Sequence, residues 1–345
     1  MIANRIMAYL ETDGLDVADL YLNQAATSCR ESMRRNLGLR RDDGTRKIRK
    51  PRPSGAWACG REMVFNSLGL ETEGYGWRSR LTFTHGDMTE AMGVLLFRQA
   101  IAASGENDML ISPFENGDQL ELDVEIDPQN WNVEAAPFRL TGHLDMSVKG
   151  HNGEEEPADW KAVAEWTFKD MQRAAADPSY IWWEKERSGY VAQVRWYMMM
   201  LRQAGRSVAR QGYLVGVNKN TGHVTEVRIP ADIPAERELI RKAVYVEKRI
   251  SQAREQKTNA EEWVRKNIPR ASFTKNMVKK CGTRTKRPDG TTGECFELDT
   301  GKDADPQAFR CSYCDHTARC WSGFEVVPLH KPVWRTNNAE DKPWL

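Results

Sequence analysis

The stretch Phe138-Arg-Leu-Thr-Gly-His-Leu-Asp-Met-Ser-Val148, followed after a turn by Ala158-Asp-Trp-Lys-Ala-Val163, decides how this chain is read. Each half has the aliphatic content of a strand, and the intervening Lys149-Gly-His-Asn-Gly-Glu154 is a turn sequence, so the two are expected as antiparallel neighbours. Side chains i and i+2 of a strand point to the same face, so Asp159 and Lys161 flank one spot, and Asp145 in the neighbouring strand can meet them. An acid two places before a base is a weak sign alone in a chain with 49 acidic and 50 basic residues. Its setting strengthens it. Among Ala158, Ala162 and Val163, an inward-facing acid and lysine bear a desolvation cost that a surface ion pair would not explain.

Upstream of this pair, Leu120, Leu122, Val124 and Ile126 alternate with acids as in a half-buried strand. Downstream, Tyr190, Val191, Val194, Tyr197, Met198 and Leu201 have helical spacing from Ser188 to about Gly205. Residues 212–217 and 224–229 form a hairpin around Asn218-Lys-Asn-Thr-Gly222, and a charged helix follows from about Pro234 to Lys257. Before the sheet, the first 28 residues read as short helical segments, and Ser54 is the expected N-cap of a helix carrying Trp57, Cys59, Met63 and Phe65. A further helix is expected from Gly86 to Ala103, with Met88, Met92, Leu95, Leu96 and Ile101 on its buried side. Sheet, helix and sheet in this order make an α/β core, and there is no internal repeat.

The length of 345 residues and a hydrophobic content of 40% suit one substantial core with added elements. The sequence divides into an N-terminal helical and basic segment (1–53), a core (54–270), a cysteine-rich lobe (271–325) and a tail (326–345). A net charge of +1 leaves any nucleic-acid contact to local patches. Two exist: the run from Arg30 to Arg52, whose later half reads as a basic linker, and Lys275, Lys279, Lys280, Arg284, Lys286 and Arg287. No apolar stretch is long enough to span a bilayer and the start lacks a secretory plan, so a soluble cytoplasmic protein with no membrane partner is expected.

Seven cysteines are an odd number, and three of them form Cys311-x2-Cys314-x5-Cys320, a spacing that suits metal ligation better than a disulfide framework. A four-coordinate iron or zinc site needs a fourth ligand. Cys59 is the first choice, with Cys29 competing; alternatively Cys281 and Cys295 join Cys311 and Cys314 in a zinc site.

Taken together, the motifs resemble the PD-(D/E)xK nuclease superfamily and, within it, the RecB-like branch. Gly142-His-Leu-Asp145 matches its Gly-x-x-Asp strand, Asp159-Trp-Lys161 its acid-x-Lys strand, and Gln193-Val-Arg-Trp-Tyr197 its Gln-x-x-x-Tyr helix. Gly86-Asp-Met-Thr-Glu90 matches the preceding Gly-x-x-x-acid/His motif, in the Glu form found also in phage recombination exonucleases. The resemblance implies a restriction-endonuclease-like core of a mixed β-sheet flanked by helices, with a C-terminal cysteine-ligated metal lobe, and a Mg2+- or Mn2+-dependent deoxyribonuclease. It implies that Glu90, Asp145, Asp159 and the Trp160 carbonyl hold the cation. Lys161 would orient the attacking water and help deprotonate it, with Gln193 and Tyr197 positioning the lysine and the DNA backbone. One distant cysteine plus a C-terminal cysteine trio further resembles the iron-sulfur nucleases, including the CRISPR-associated exonuclease family. That likeness covers roughly residues 54 to 325 and implies a [4Fe-4S] cluster on Cys59, Cys311, Cys314 and Cys320, with Zn2+ as the alternative.

The expected substrate is DNA, as single strands or ends, in recombination, repair or CRISPR-type processing. Trp182 and Trp183 stack on unpaired bases or pack in the core. No Gly-x4-Gly-Lys-Ser/Thr loop is present, so unwinding would come from a helicase partner; a recombinase or a CRISPR adaptation protein are the other partners implied. The rival readings are a non-catalytic DNA-end-binding module and a structure-specific endonuclease of the same fold.

Overall fold

The computed structural model describes residues 2–11, 19–36, 52–55, 58–70, 77–105, 110–112, 120–150, 152–177, 179–180, 188–268, 278–286, 292–298, 311, 314, 316, 320, 324–325 and 332–335. The basic residues between 37 and 51, Trp57, Trp182, Trp183, Lys275 and Arg287 lie outside them, as do the side chains of Cys281 and Cys295. Among the described residues no helix is long and apolar enough to cross a membrane.

In chain order the elements are α1 (Ile2–Leu10), α2 (Asp19–Asn36), α3 (Gly60–Ser67), α4 (Trp77–Ser104), β1 (Leu110–Ser112), β2 (Leu120–Ile126), β3 (Phe138–Leu144), β4 (Met146–Lys149) and β5 (Glu155–Val163). After them come α5 (Glu165–Ala176), α6 (Ser188–Gln203), β6 (Gln211–Asn218), β7 (Val224–Pro230), α7 (Ile233–Glu255), α8 (Ala260–Asn267), β8 (Val278–Lys286), β9 (Thr292–Leu298), β10 (Phe324–Glu325) and β11 (Pro332–Arg335). The protein is α/β. Its contacts gather Met1–Arg46, Lys50–Trp57 and Gly76–Val244 into one unit, and Lys47–Arg49, Ala58–Tyr75 and Tyr245–Leu345 into another. This grouping differs from the sequence boundaries, because residues 58–75 join the C-terminal segment rather than the strands.

The first unit is built on a five-stranded sheet of order β1-β4-β5-β6-β7. Only β5 and β6 are parallel, and α5 and α6 make the crossover between them that a parallel pair requires. Alternate residues of the central strands serve opposite layers. Ala158, Trp160, Tyr213, Val215 and Val217 pack with Ile2 and Ile6 of α1 and Phe97 and Ile101 of α4. Val163, Leu214, Val227 and Ile229 pack with Phe168 and Met171 of α5 and Val194 and Met198 of α6. Asp159 and Lys161, out of phase with Trp160, therefore belong to the α6 face.

Two expectations change here. The strand foreseen from 138 to 148 is two strands: β3 pairs with β2 in a separate ribbon and β4 enters the main sheet, with the break at Asp145. β4 therefore ends opposite Ala158, and the Asp145 carboxylate takes the place of a strand carbonyl by accepting from the Trp160 amide at 2.9 Å. Secondly, α4 starts at Trp77 and leaves Met88 and Met92 39% and 45% exposed. A helix of 28 residues is roughly 42 Å long. Its buried apolar side chains Leu95, Phe97, Ala100 and Ile101 lie in its C-terminal half, while its first half runs along α2, where Ser32 donates to Asp87.

In the second unit, Met63, Val64 and Phe65 of α3 pack against Val246, Ile250 and Ala253 of α7 and Val264 and Ile268 at α8. A four-stranded sheet of order β10-β11-β9-β8 accompanies them. The N-cap of α3 is Cys59 rather than Ser54: its Sγ accepts from the Glu62 amide at 3.4 Å, while Ser54 lies in a short 3-10 turn, Pro53–Gly55. Cys59 thus stands at the end of the helix, not on its face.

Candidate functional site

Four elements of the first unit bring the sequence-singled acids together. Asp159 and Lys161 come from β5, Asp145 from the break between β3 and β4, Glu90 from α4, and Gln193 and Tyr197 from α6. Lys161 Nζ lies 2.8 Å from Asp159 Oδ2, 2.8 Å from the Trp160 carbonyl oxygen and 3.8 Å from Glu90 Oε1. Gln193 Nε2 donates to Asp159 Oδ1 at 2.9 Å and to the Tyr197 hydroxyl at 3.2 Å, and Tyr197 in turn donates to the His143 carbonyl. One turn of α6 thereby fixes both the Asp159 carboxylate of β5 and the backbone two residues before Asp145. Asp159 Oδ2 has the lysine's charge beside it but no aligned hydrogen bond.

Two glycines permit this closeness. A Cβ on Gly93 of α4 would overlap Cζ3 of Trp160, so the helix that carries Glu90 lies directly on the indole between Asp159 and Lys161. A Cβ on Gly142 would meet Pro53 Cγ at 3.0 Å and Tyr197 Cε1 at 3.3 Å, which explains why a glycine precedes Asp145 by three positions.

Burial governs the electrostatics. Asp159 is fully buried, and this, with the nearby Asp145 charge, pushes its carboxyl up to about 7 against the opposing pull of Lys161. Glu90 is raised well above the usual carboxylate range, first by burial, then by Asp145, Asp159 and Asp87, with Lys161 opposing. Burial works against the Lys161 ammonium, but Asp159, Glu90 and Asp145 outweigh it and hold the lysine protonated. Burial, then Asp159 and Asp145, raise the Tyr197 phenol, which stays a neutral donor.

In the second unit, Cys59 and Cys320 each lie close enough to Cys314 to act on it. Burial raises the Cys314 thiol, and Glu62, Cys59 and Cys320 raise it further. Cys311 joins through a turn in which the Cys314 amide donates to the Cys311 carbonyl at 3.2 Å. Cys29 is elsewhere: it lies on α2 of the first unit, where burial and Asp87 raise it. Of the two candidates for the fourth thiolate, Cys59 shares the unit of Cys314 and acts on it.

Several participants escaped the sequence reading. Asp87 sits inside the quoted Gly86–Glu90 motif and accepts from Ser32 of α2; its position one turn before Glu90 was the available signal. Tyr190 precedes Gln193 by one helical turn, and its ring centre is 5.9 Å from Lys161 Nζ. Arg61 and the buried His316, whose Nε2 is 3.1 Å from Asn66 Oδ1, carry no periodic signal. As the side chains stand, no group of three or more His, Cys, Asp or Glu among the described residues, neither the acids around Lys161 nor the four cysteines, is arranged to hold a metal ion.

No family model and no curated protein matches the sequence. Among solved structures, the crystal structure of SSO0001 is similar over 64% of this chain and 85% of that one, at 13% identity and a TM-score of 0.34, a likeness too slight to carry any argument.

Proposed function

We propose that the chain is a Mg2+- or Mn2+-dependent deoxyribonuclease with a restriction-endonuclease-like core of the RecB-like kind, acting on single-stranded DNA or DNA ends. The observation that carries this reading is the convergence of Asp159 Oδ2, the Trp160 carbonyl and Glu90 Oε1 on one point, with Lys161 Nζ standing there as a cation. These are hard oxygen donors of the kind Mg2+ and Mn2+ take, and Asp145 lies beside them with one oxygen already fixed by the Trp160 amide. The ammonium is a stand-in, so the residues fit a divalent cation, provided that Lys161 swings off Asp159.

When bound, such a cation supplies charge to the phosphoryl oxygens and acidifies a water. The chain's own residues do the rest. Gln193 restrains Asp159 Oδ1 and leaves Oδ2 turned to the ligand point. Lys161, held protonated by the acids, orients the attacking water and offsets developing negative charge. Once its carboxylate partners are engaged elsewhere, its pKa falls and it can help take the water's proton. Cys59, Cys311, Cys314 and Cys320 suit a [4Fe-4S] cluster or Zn2+ in a structural role, on the closeness of Cys59 and Cys320 to Cys314.

The test is digestion of 5′- and 3′-labelled single- and double-stranded linear DNA and a closed circle, with Mg2+, Mn2+ or EDTA, comparing wild type with Asp159→Ala and Lys161→Ala. Cation-dependent loss of linear DNA, abolished in both variants, is the expected result, with a spared circle marking an exonuclease. Binding without cleavage in every condition would sink the catalytic reading in favour of an end-binding module.

A further inference from the structure

Arg61, in the first turn of α3, is only 4% exposed, and such a cation needs negative partners around it. Its Nε and Nη2 donate to the Ile268 carbonyl, the former at 3.0 Å, and Nη2 donates also to the Arg265 carbonyl at 2.8 Å. Both oxygens belong to the C-terminal end of α8, where the carbonyls carry the helix's partial negative charge. The remaining arm, Nη1, points to Cys320 Sγ at 3.9 Å. Two neutral carbonyls do not balance a full guanidinium charge. The Cys320 sulfur is the third group its fork meets, so any negative charge that sulfur carries as a ligand falls on Arg61. On the same turn of α3, two residues before Arg61, Cys59 Sγ accepts the Glu62 amide, so this turn directs positive potential at two sulfurs at once.

We infer that Arg61 is the countercharge and positioning residue of the cysteine site, tying the Cys320 sulfur to the end of α8 and lowering the net negative charge of whatever metal group the four cysteines hold. The inference rests on the proposed metal role of those cysteines. Its electrostatic logic is common to both candidate groups, since four thiolates around Zn2+ or an oxidised [4Fe-4S] cluster leave a net double negative charge. A buried guanidinium at hydrogen-bond reach of one sulfur offsets half of it, stabilises the loaded state against loss of metal, and makes a cluster easier to reduce.

The experiment uses the full chain, purified anaerobically, as wild type, Arg61→Met and Arg61→Lys. Iron and zinc content, loss of metal to a chelator and, for an iron-sulfur cluster, the reduction potential are measured. Both substitutions break the fork to the α8 carbonyls, so damage to folding is common to them, whereas only Arg61→Lys keeps the charge. Arg61→Met is expected to lose metal about tenfold faster or more, with a more negative potential if a cluster is present, and Arg61→Lys to stay near wild type. Equal impairment of the two variants, or a Met variant with wild-type retention and potential, would overturn the inference and leave the metal reading standing. A wild-type chain with neither iron nor zinc would overturn both.

Discussion

The acid-lysine site and the cysteine site put charge in opposite order. Around β5 the protein gathers two buried carboxylates and the half-buried Glu90 and supplies one lysine, so the free site is short of positive charge and raises Asp159 to about 7 and Glu90 well above its ordinary range. Around α3 the donors are thiols, and the fixed positive groups, Arg61 and the start of the helix, are already in place. The first arrangement suits a cation that comes and goes with substrate. The second suits a group that is loaded once and stays. The difference predicts that each site can be broken without unloading the other.

The largest effect belongs to Lys161→Met. If Lys161 has the role proposed for it, its loss lowers cleavage by about 10²–10⁴-fold, with the metal content of the cysteines unchanged, measured as kcat/KM and by elemental analysis. The same change strips a buried Asp159 of its ion-pair partner, and a carboxyl already raised to about 7 must then hold a proton to stay buried, at a cost that grows with pH. Adding Asp159→Asn should therefore restore thermal stability and leave activity lost, a split that a purely structural ion pair would not give. Iron or zinc that disappears together with activity in Lys161→Met would break the comparison.

Next comes Gly93→Ala. The new methyl would overlap the Trp160 ring, so α4 must shift, at about 1–3 kcal/mol of stability. Because Glu90 is one turn away on the same helix, weaker activation by Mn2+ should accompany the lower Tm. An alanine variant with wild-type Tm would show that α4 and Trp160 are less tightly engaged than this.

A smaller effect separates the sites by pH. A carboxyl whose pKa is raised on folding holds a proton that the unfolded chain has shed, so its contribution to stability is present at low pH and declines as pH rises through about 7 for Asp159. A cation must displace that proton. Stabilisation by Mn2+, read as a shift in Tm, should therefore be larger at pH 8 than at pH 6 and vanish in Asp159→Ala. Equal shifts at both pH values would mean that the acids are already ionised in the free site.

Much of the first site was legible because its elements are regular. Alternation identified β2, strand-like content β5, β6 and β7, and helical spacing α6; Gln193 was singled out only by the resemblance, which gave it to Lys161, and the structure places it on Asp159. The break at Asp145 was not legible, since Gly142 to Val148 reads as one uninterrupted strand; a carboxylate replacing a strand carbonyl leaves no mark in hydrophobic pattern. Nor was the exposure of Met88 and Met92, because helical periodicity finds a stripe but not what covers it. The cysteine site follows the reverse rule: spacing nominated the ligands, while Arg61 and His316 act through contacts across more than 200 positions of sequence that no local pattern encodes.

The smallest predicted effect concerns Tyr190, where the two kinds of site can be compared most finely. Like Arg61 beside Cys320, it meets a charge-bearing group without being a candidate ligand, but here the ring faces the cation. At 5.9 Å from the ring centre, Lys161 Nζ is near the outer limit of a cation-π contact, worth about 0.5–1 kcal/mol at such a partly exposed position. Tyr190→Phe keeps the ring and should leave cleavage unchanged. Tyr190→Leu removes the ring's negative face while keeping apolar bulk, and about a two- to fivefold fall in kcat is expected, with KM for DNA unmoved. A rise in KM in both variants would instead assign the hydroxyl to the DNA backbone. Equal loss of kcat in both would mean that the hydroxyl, not the ring, holds the lysine in place.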